Sequence, residues 1–282
     1  MNPLCEPIFF SGKDGYLYSG LLFRAKKNKG TIIHVHGSCG NFLSFTALLD
    51  ETSHFVESGY NLFSFNLKAH DCITEGNWIN GKYEYVGGSI TDFNNCIEDI
   101  QSAIDFCKGF SDKIILQGHS MGCERVLTYQ IESNEYYDTI LISPCDAYAL
   151  QRKYVYPETI EEQIKRLSSE VNNRLLLKEY GIDNNGEKYS IPIYLQSFLS
   201  ILDSNALKLF RVDKPAKFFL PTKCLCCIGT RDKLQTDKTE IMFSLISENF
   251  KNFSSCVFDT DHEFNNYGKH LGKKIVKWIE DM

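Results

Sequence analysis

The chain has 282 residues, of which 43% are hydrophobic and 23% charged, with a formal net charge of −6. A chain of this size and composition buries a substantial core, as one large domain or as a domain carrying an insertion. The acidic balance argues against nucleic acid as a partner, and the short basic stretch Lys26-Lys27-Asn28-Lys29 reads as a solvated turn.

The first residues, Met1 to Glu6, show no basic region followed by an apolar one, so no secretory signal is expected. Glu6 to Phe10 and Tyr16 to Arg24 alternate like antiparallel strands, with Lys13-Asp14-Gly15 as the turn between them. Thr31 to His36 is a continuous apolar run, as in a strand buried on both faces. Phe42 to Ser58 has helical periodicity and stops at Gly59, and Tyr60 to Leu67 is the next strand. A loop rich in Gly and Asn runs from Lys68 to about Gly88. Phe93, Cys96, Ile97, Ile100, Ile104 and Cys107 then mark one face of a helix, with Ser89 or Thr91 as its N-cap and Gly109 as its stop.

Ile114 to Gln117 is a strand that runs into Gly118-His119-Ser120-Met121-Gly122, and a helical pattern follows at once. This strand–turn–helix setting is what a nucleophile elbow requires. A Cβ at either glycine would collide as the strand folds back into the helix. The serine hydroxyl is then held clear of the sheet at a helix N-terminus, where developing negative charge is stabilised. The bare Gly-x-Ser-x-Gly pattern is weak, and its setting is what raises its weight. Thr139 to Ser143 is another strand, closed by Pro144.

From about Asp146 to Pro221 the strand–helix rhythm breaks. This stretch reads as helical over Ile164 to Leu167, Asn173 to Tyr180 and Tyr194 to Phe210. The rhythm resumes with strand Lys223 to Ile228, helix Thr236 to Phe250, strand Phe253 to Phe258 and helix Asn265 to Glu280. Such alternation implies a mostly parallel sheet covered on both faces. The expected organisation is a core of residues 1–145 and 222–282 with an inserted helical cap over 146–221. No apolar run reaches the roughly 18 residues of a membrane span. The 11 cysteines are scattered singly, which suits reduced thiols in a cytoplasmic protein. Cys224-Leu225-Cys226-Cys227 lacks a second ligand cluster for zinc and reads as a buried strand. His34 and His36 share one face of a strand, as metal ligands would, yet neither a metal nor a cofactor is expected.

In its order of elements the whole chain resembles an α/β-hydrolase with a helical cap. The resemblance implies a nucleophile, an acid and a histidine in that chain order, each on a loop after a strand. The elbow matches Ser120. Ile228-Gly229-Thr230-Arg231-Asp232 presents Asp232 just past a strand end, and Asp259-Thr260-Asp261-His262 supplies His262 after the last strand. Asp259 and Asp261 are the alternative acids. His270 is the rival histidine, but it falls inside a helix. His36-Gly37-Ser38-Cys39-Gly40-Asn41 resembles the family's oxyanion loop, so the backbone amides of Ser38 and Met121 are the implied donors, with His36 bracing the loop. The chain departs from the family where many members have Asp-x-Arg-Gly-x-Gly; here it reads Asn66-Leu67-Lys68-Ala69-His70-Asp71. A serine nucleophile disfavours dehalogenation and epoxide opening.

The implied activity is serine hydrolysis of a carboxylic ester or thioester through an acyl-serine intermediate. Acyl transfer, a lyase using the same triad and a non-catalytic small-molecule receptor are the alternatives. Tyr148, Tyr154, Tyr156, Tyr180, Tyr189, Tyr194 and Phe198 fall in or beside the insertion; they suit either an acyl-binding lining or the insertion's own core. The implied partner is a small-molecule acyl ester or thioester. Carrier-protein attachment, homo-oligomerisation and the substrate-binding residues stay open.

Overall fold

The computed structural model describes residues 4–147, 149–150, 162, 165, 176–182 and 188–281. The chain begins with β1 (Leu4–Ser11), β2 (Leu17–Arg24) and β3 (Gly30–Val35), followed by α1 (Leu48–Ser58) and β4 (Tyr60–Phe65). A small hairpin, β5 (Thr74–Asn77) and β6 (Tyr83–Val86), precedes α2 (Asn95–Lys108), β7 (Ile114–His119), α3 (Met121–Ser133) and β8 (Asp138–Ile142). The hairpin β9 (Leu176–Ile182) and β10 (Lys188–Tyr194) leads into α4 (Leu195–Asp203) and α5 (Asn205–Phe210). The chain closes with β11 (Leu220–Gly229), α6 (Thr239–Ser247), β12 (Phe250–Phe258) and α7 (Gly268–Glu280).

Eight strands form one sheet in the order β1-β2-β4-β3-β7-β8-β11-β12. β1 pairs antiparallel with β2, and β2 antiparallel with β4. All later pairings in this sheet are parallel. Every residue of β3, β4 and β7 is buried, because helices cover both faces. α2 and α3 cover one face through Ile100, Ile104, Val126 and Tyr129. α1 and α7 cover the other through Phe55, Leu271, Ile275 and Ile279. Each such apolar side chain contributes about 1.5–3 kcal/mol on burial. The parallel strands all run the same way, so the loops after β3, β7, β8, β11 and β12 gather at one edge of the sheet, where a ligand site belongs.

Some elements differ from the sequence reading. α1 begins at Leu48 and not at Phe42. The residues before it spend their polar groups on side chains: Phe42 N–H donates to Asn66 Oδ1, Asn41 N–H to Ser44 Oγ, and Ser64 Oγ to the Phe42 carbonyl. Those bonds compete with a helical ladder. The β5–β6 hairpin lies in what reads as a plain loop, anchored by an isolated bridge between Tyr16 and Trp78. The largest correction falls in the insertion. Leu176–Ile182, expected to be helical up to Tyr180, pairs antiparallel with Lys188–Tyr194. A run of Leu with Lys and Glu has good helix propensity, and the partner strand overrides it. Tyr148, Tyr154 and Tyr156 lie outside the described residues, as do 164, 166 and 167 of the helix expected over Ile164 to Leu167.

The insertion's described parts are tied at their own base and packed on the core. Asp146 accepts hydrogen bonds from the backbone N–H of Ala149 and of Val212, so the start and end of the excursion are tied together. α5 packs Ala206, Leu209 and Phe210 against Cys123 and Leu127 of α3, and α4 holds the start of α2 through Ser200 Oγ, which accepts the Phe93 N–H.

Candidate active site

Ser120 sits between β7 and α3 with φ 53° and ψ −127°, a strained conformation for a residue with a side chain. Its neighbours explain why the turn closes. A Cβ on Gly118 would strike the Gly122 backbone, and one on Gly122 would strike the Val35 carbonyl. Both positions therefore demand glycine. The Ser120 N–H donates to the Ile142 carbonyl at 2.9 Å, which locks the turn to β8.

Asp232 and His262 come from the loops after β11 and β12. His262 Nδ1 lies 2.9 Å from Asp232 Oδ2, and both side chains are buried. Burial pushes the Asp232 carboxyl up, but its bond to His262, the imidazole's charge and donors from Leu234 N–H and the Gln235 amide outweigh that and lower it overall. The alternative acids are elsewhere: Asp259 pairs with Arg231 at 3.1 Å, and Asp261 accepts from Asn265. His270 is exposed on α7 beside Tyr267. Among the described residues no hydrogen bond joins the Ser120 hydroxyl to His262. Nucleophile–base contacts are often loose without substrate and tighten in the complex.

The loop after β3 packs against the elbow: a Cβ on Gly37 would come within 3.1 Å of Ser120 Cβ. Among the described residues the backbone amides of Ser38 and Met121 donate no hydrogen bond. Free amides beside a nucleophile are what an oxyanion requires. His36 is buried and neutral. Its Nδ1–H donates to the Gly37 carbonyl at 2.9 Å, and its Nε2 accepts the Leu67 N–H at 3.3 Å. Burial, and then the charge of Arg125, hold it well below the usual histidine range. It braces the loop, as the resemblance implied.

Three residues escaped the sequence reading. Arg125, five residues past Ser120, is buried; its Nη1 donates to the carbonyls of His36 at 2.9 Å and Gly37 at 3.0 Å. It points those carbonyls inward and leaves the Ser38 amide turned out. His119 Nε2–H donates to the His262 carbonyl at 3.0 Å, and Ser143 Oγ donates to the same oxygen at 2.9 Å. His119 also stacks on Phe45, with ring centroids 4.3 Å apart. Lys68, nearly buried, holds Asp14 at 2.7 Å and Glu98 at 3.0 Å.

His119, His262 and Glu263 bring ligand atoms within 4.8 Å of one another, the one such group among the described residues. His119 Nε2 is already engaged with a carbonyl and His262 Nδ1 with Asp232, so the histidines are committed to the hydrogen-bond network. Cys224 and Cys226 are buried strand residues, as expected, and His34 bonds Gln117 at 3.1 Å.

A scan against protein-family models and a comparison with curated proteins each found no match. Solved structures do match. The esterase Pf2001 of Pyrococcus furiosus is 16% identical, with a TM-score of 0.60 over 99% of this chain and 93% of that one. Est1E from Butyrivibrio proteoclasticus is 13% identical, with a TM-score of 0.62 over 98% of both chains. GrgF from Penicillium sp. sh18, an α/β-hydrolase, is 14% identical, with a TM-score of 0.64 over 96% of both. The chain has the α/β-hydrolase fold. Within that fold the strand order places Ser120, Asp232 and His262 after β7, β11 and β12, in the expected succession. No described helix is long and apolar enough to cross a membrane.

Proposed function

We propose that this protein is a serine hydrolase that cleaves a carboxylic ester or thioester. The observation that carries the reading is the buried Asp232–His262 pair, 2.9 Å apart, on the loops flanking a strained Ser120 elbow. The structural likeness to esterases supports the same chemistry.

In the proposed cycle His262 takes the Ser120 proton as the hydroxyl attacks the acyl carbon. Asp232 accepts from Nδ1–H, fixes the tautomer and stabilises the imidazolium. The Ser38 and Met121 amides receive the negative oxygen of the tetrahedral intermediate. His262 then protonates the leaving alcohol or thiol. Water, activated by the same imidazole, releases the acid from acyl-Ser120.

Residues 146–221 serve in this reading as a cap that selects the acyl group. Support comes from the Asp146 tie at its base and from α4, which docks on the start of α2 at the loop edge of the sheet. Est1E also has a structure with ferulic acid bound, which makes aromatic acyl esters a sensible first panel. A serine-directed phosphonate should label Ser120 and not the Ser120→Ala variant. Turnover of p-nitrophenyl esters and acyl thioesters should vanish in that variant, and unchanged turnover would overturn the proposal.

A further inference from the structure

The edge strand β12 pairs with β11 in register, Asn252 with Lys223, Ser254 with Leu225, and Cys256 with Cys227. Side chains two apart share a face, so these are three successive rungs on the α7 side of the sheet. α7 packs over the third rung, where Cys227 and Cys256 join the apolar cluster with Ile275 and Ile279. Lys223, Leu225, Asn252 and Ser254 of the first two rungs line a cleft of about 410 Å³, walled by Lys274, Lys277, Trp278 and Asp281. The Cys227–Cys256 rung is the next along the strands from this lysine-lined cleft. Among the described residues Lys223, Lys274 and Lys277 form no ion pair, and one acid, Asp281, faces them.

We propose that Cys256 is a modification site for an anionic low-molecular-weight disulfide bound in this cleft, and that Cys227 resolves the adduct. Three observations carry it. The two Sγ atoms are 3.8 Å apart. Adjacent strands lie roughly 4.8 Å apart, inside the Cα separation that a disulfide spans. Cys256 is half-buried and reachable, whereas Cys227 is fully buried and accessible only to its neighbour. The hydrogen bond from Cys227 lowers the Cys256 thiol against burial, and the Lys274 charge lowers it further, so Cys256 is the thiolate that attacks.

The steps balance. Cys256–S⁻ attacks one sulfur of the incoming disulfide, forming a mixed disulfide and expelling a thiolate. Cys227–SH then attacks Cys256 Sγ, giving the Cys227–Cys256 disulfide. Its proton leaves with the second expelled thiol. Two electrons pass from the protein dithiol to the small disulfide, which is reduced to one thiolate and one thiol. None of this depends on the hydrolase reading.

Oxidised glutathione, whose carboxylates suit three lysines, is the probe. The reduced full-length protein is incubated with it near neutral pH, quenched with N-ethylmaleimide and mapped by peptide mass spectrometry. Wild type should yield a Cys227–Cys256 cross-linked peptide before Cys5, Cys39 or Cys72 is modified. Cys227→Ser should instead accumulate glutathione on Cys256. Joint Lys274→Gln and Lys277→Gln substitution should slow the reaction by roughly 3- to 10-fold at low salt, yet leave reaction with neutral hydroxyethyl disulfide unchanged. The proposal falls if Cys256 stays alkylatable while another cysteine reacts. Equal slowing for the charged and neutral disulfides would overturn the cleft's role. Wild-type mapping decides the site even if Cys227→Ser fails to fold.

Discussion

Two loops flank Ser120, and they are fixed by different physics. The loop after β3 is held by a cation: Arg125 reaches up from α3 and clamps the His36 and Gly37 carbonyls. The loop after β12 is held by neutral donors, with His119 and Ser143 converging on the His262 carbonyl. On the loop after β3 the Gly37 carbonyl faces Arg125, so the Ser38 N–H of the same peptide points away from it; on the loop after β12 the His262 carbonyl is held while its ring meets Asp232. Hydrogen bonds to a charged group contribute about 1.5–3 kcal/mol, against about 0.5–1.5 for neutral ones. The loop after β3, proposed to supply the oxyanion donor, should therefore be the more brittle of the two.

That contrast has meaning only if the flanked serine does the chemistry. Ser120→Ala and His262→Ala should each lower kcat/KM by at least about 1,000-fold with thermal midpoints close to wild type. Asp232→Asn should cost about 10,000-fold by favouring the wrong His262 tautomer. Steady-state kinetics on an activated ester checks all three, and a loss under tenfold in any would remove that residue from the relay.

The next test sets the flanks against each other. Arg125→Met should lower kcat by about 100-fold, as losing an oxyanion donor does, and change KM little. Arg125→Lys should recover part of that rate, because one ammonium can still reach a carbonyl. His119→Phe, which keeps the stacking on Phe45 but loses the donor, and Ser143→Ala should each cost about 1 kcal/mol of stability and only a few-fold in kcat. Denaturant unfolding and kinetics on the same samples decide. Equal effects on both sides would mean that the cation holds its loop no more firmly than neutral donors do.

An effect on stability alone concerns the floor beneath both loops. Glu51 is fully buried, its nearest donor the Gln117 amide at 2.6 Å, and burial pushes its carboxyl up to about 8. Burial likewise raises buried Glu124 on α3 to about 8. A carboxyl raised on folding is stabilising below its unfolded value and loses that contribution as pH climbs through the folded one. Stability should thus fall by roughly 2–3 kcal/mol per carboxyl between pH 6 and 9. Glu51→Gln should flatten that slope in a series of thermal melts, and an unchanged slope would show that Glu51 is not the titrating group.

How much of this was legible beforehand depends on the range of the interactions. The strand, turn and helix around Ser120 are written within ten residues, since Gly118 and Gly122 face steric demands from their own neighbourhood and from β3. The buried strands β3, β4 and β7 were equally plain, because a run with no polar face must be covered on both sides. Asp232 could be ranked above Asp259 and Asp261 only by its place after the strand that follows the insertion, and the 2.9 Å contact to His262 is what separates them. The roles of Arg125 and His119 carry no local signal, since their partners lie 89 and 143 residues away in the chain. The same holds for the β9–β10 hairpin, whose Leu-rich first strand has a helical propensity that pairing overrules. The sequence by itself determined the α/β alternation and the elbow, because backbone sterics and side-chain periodicity act over a few residues. Only the tertiary structure decided which acid meets His262, what holds the two loops and what Leu176–Ile182 becomes, because those choices turn on hydrogen bonds to partners that chain folding alone brings near.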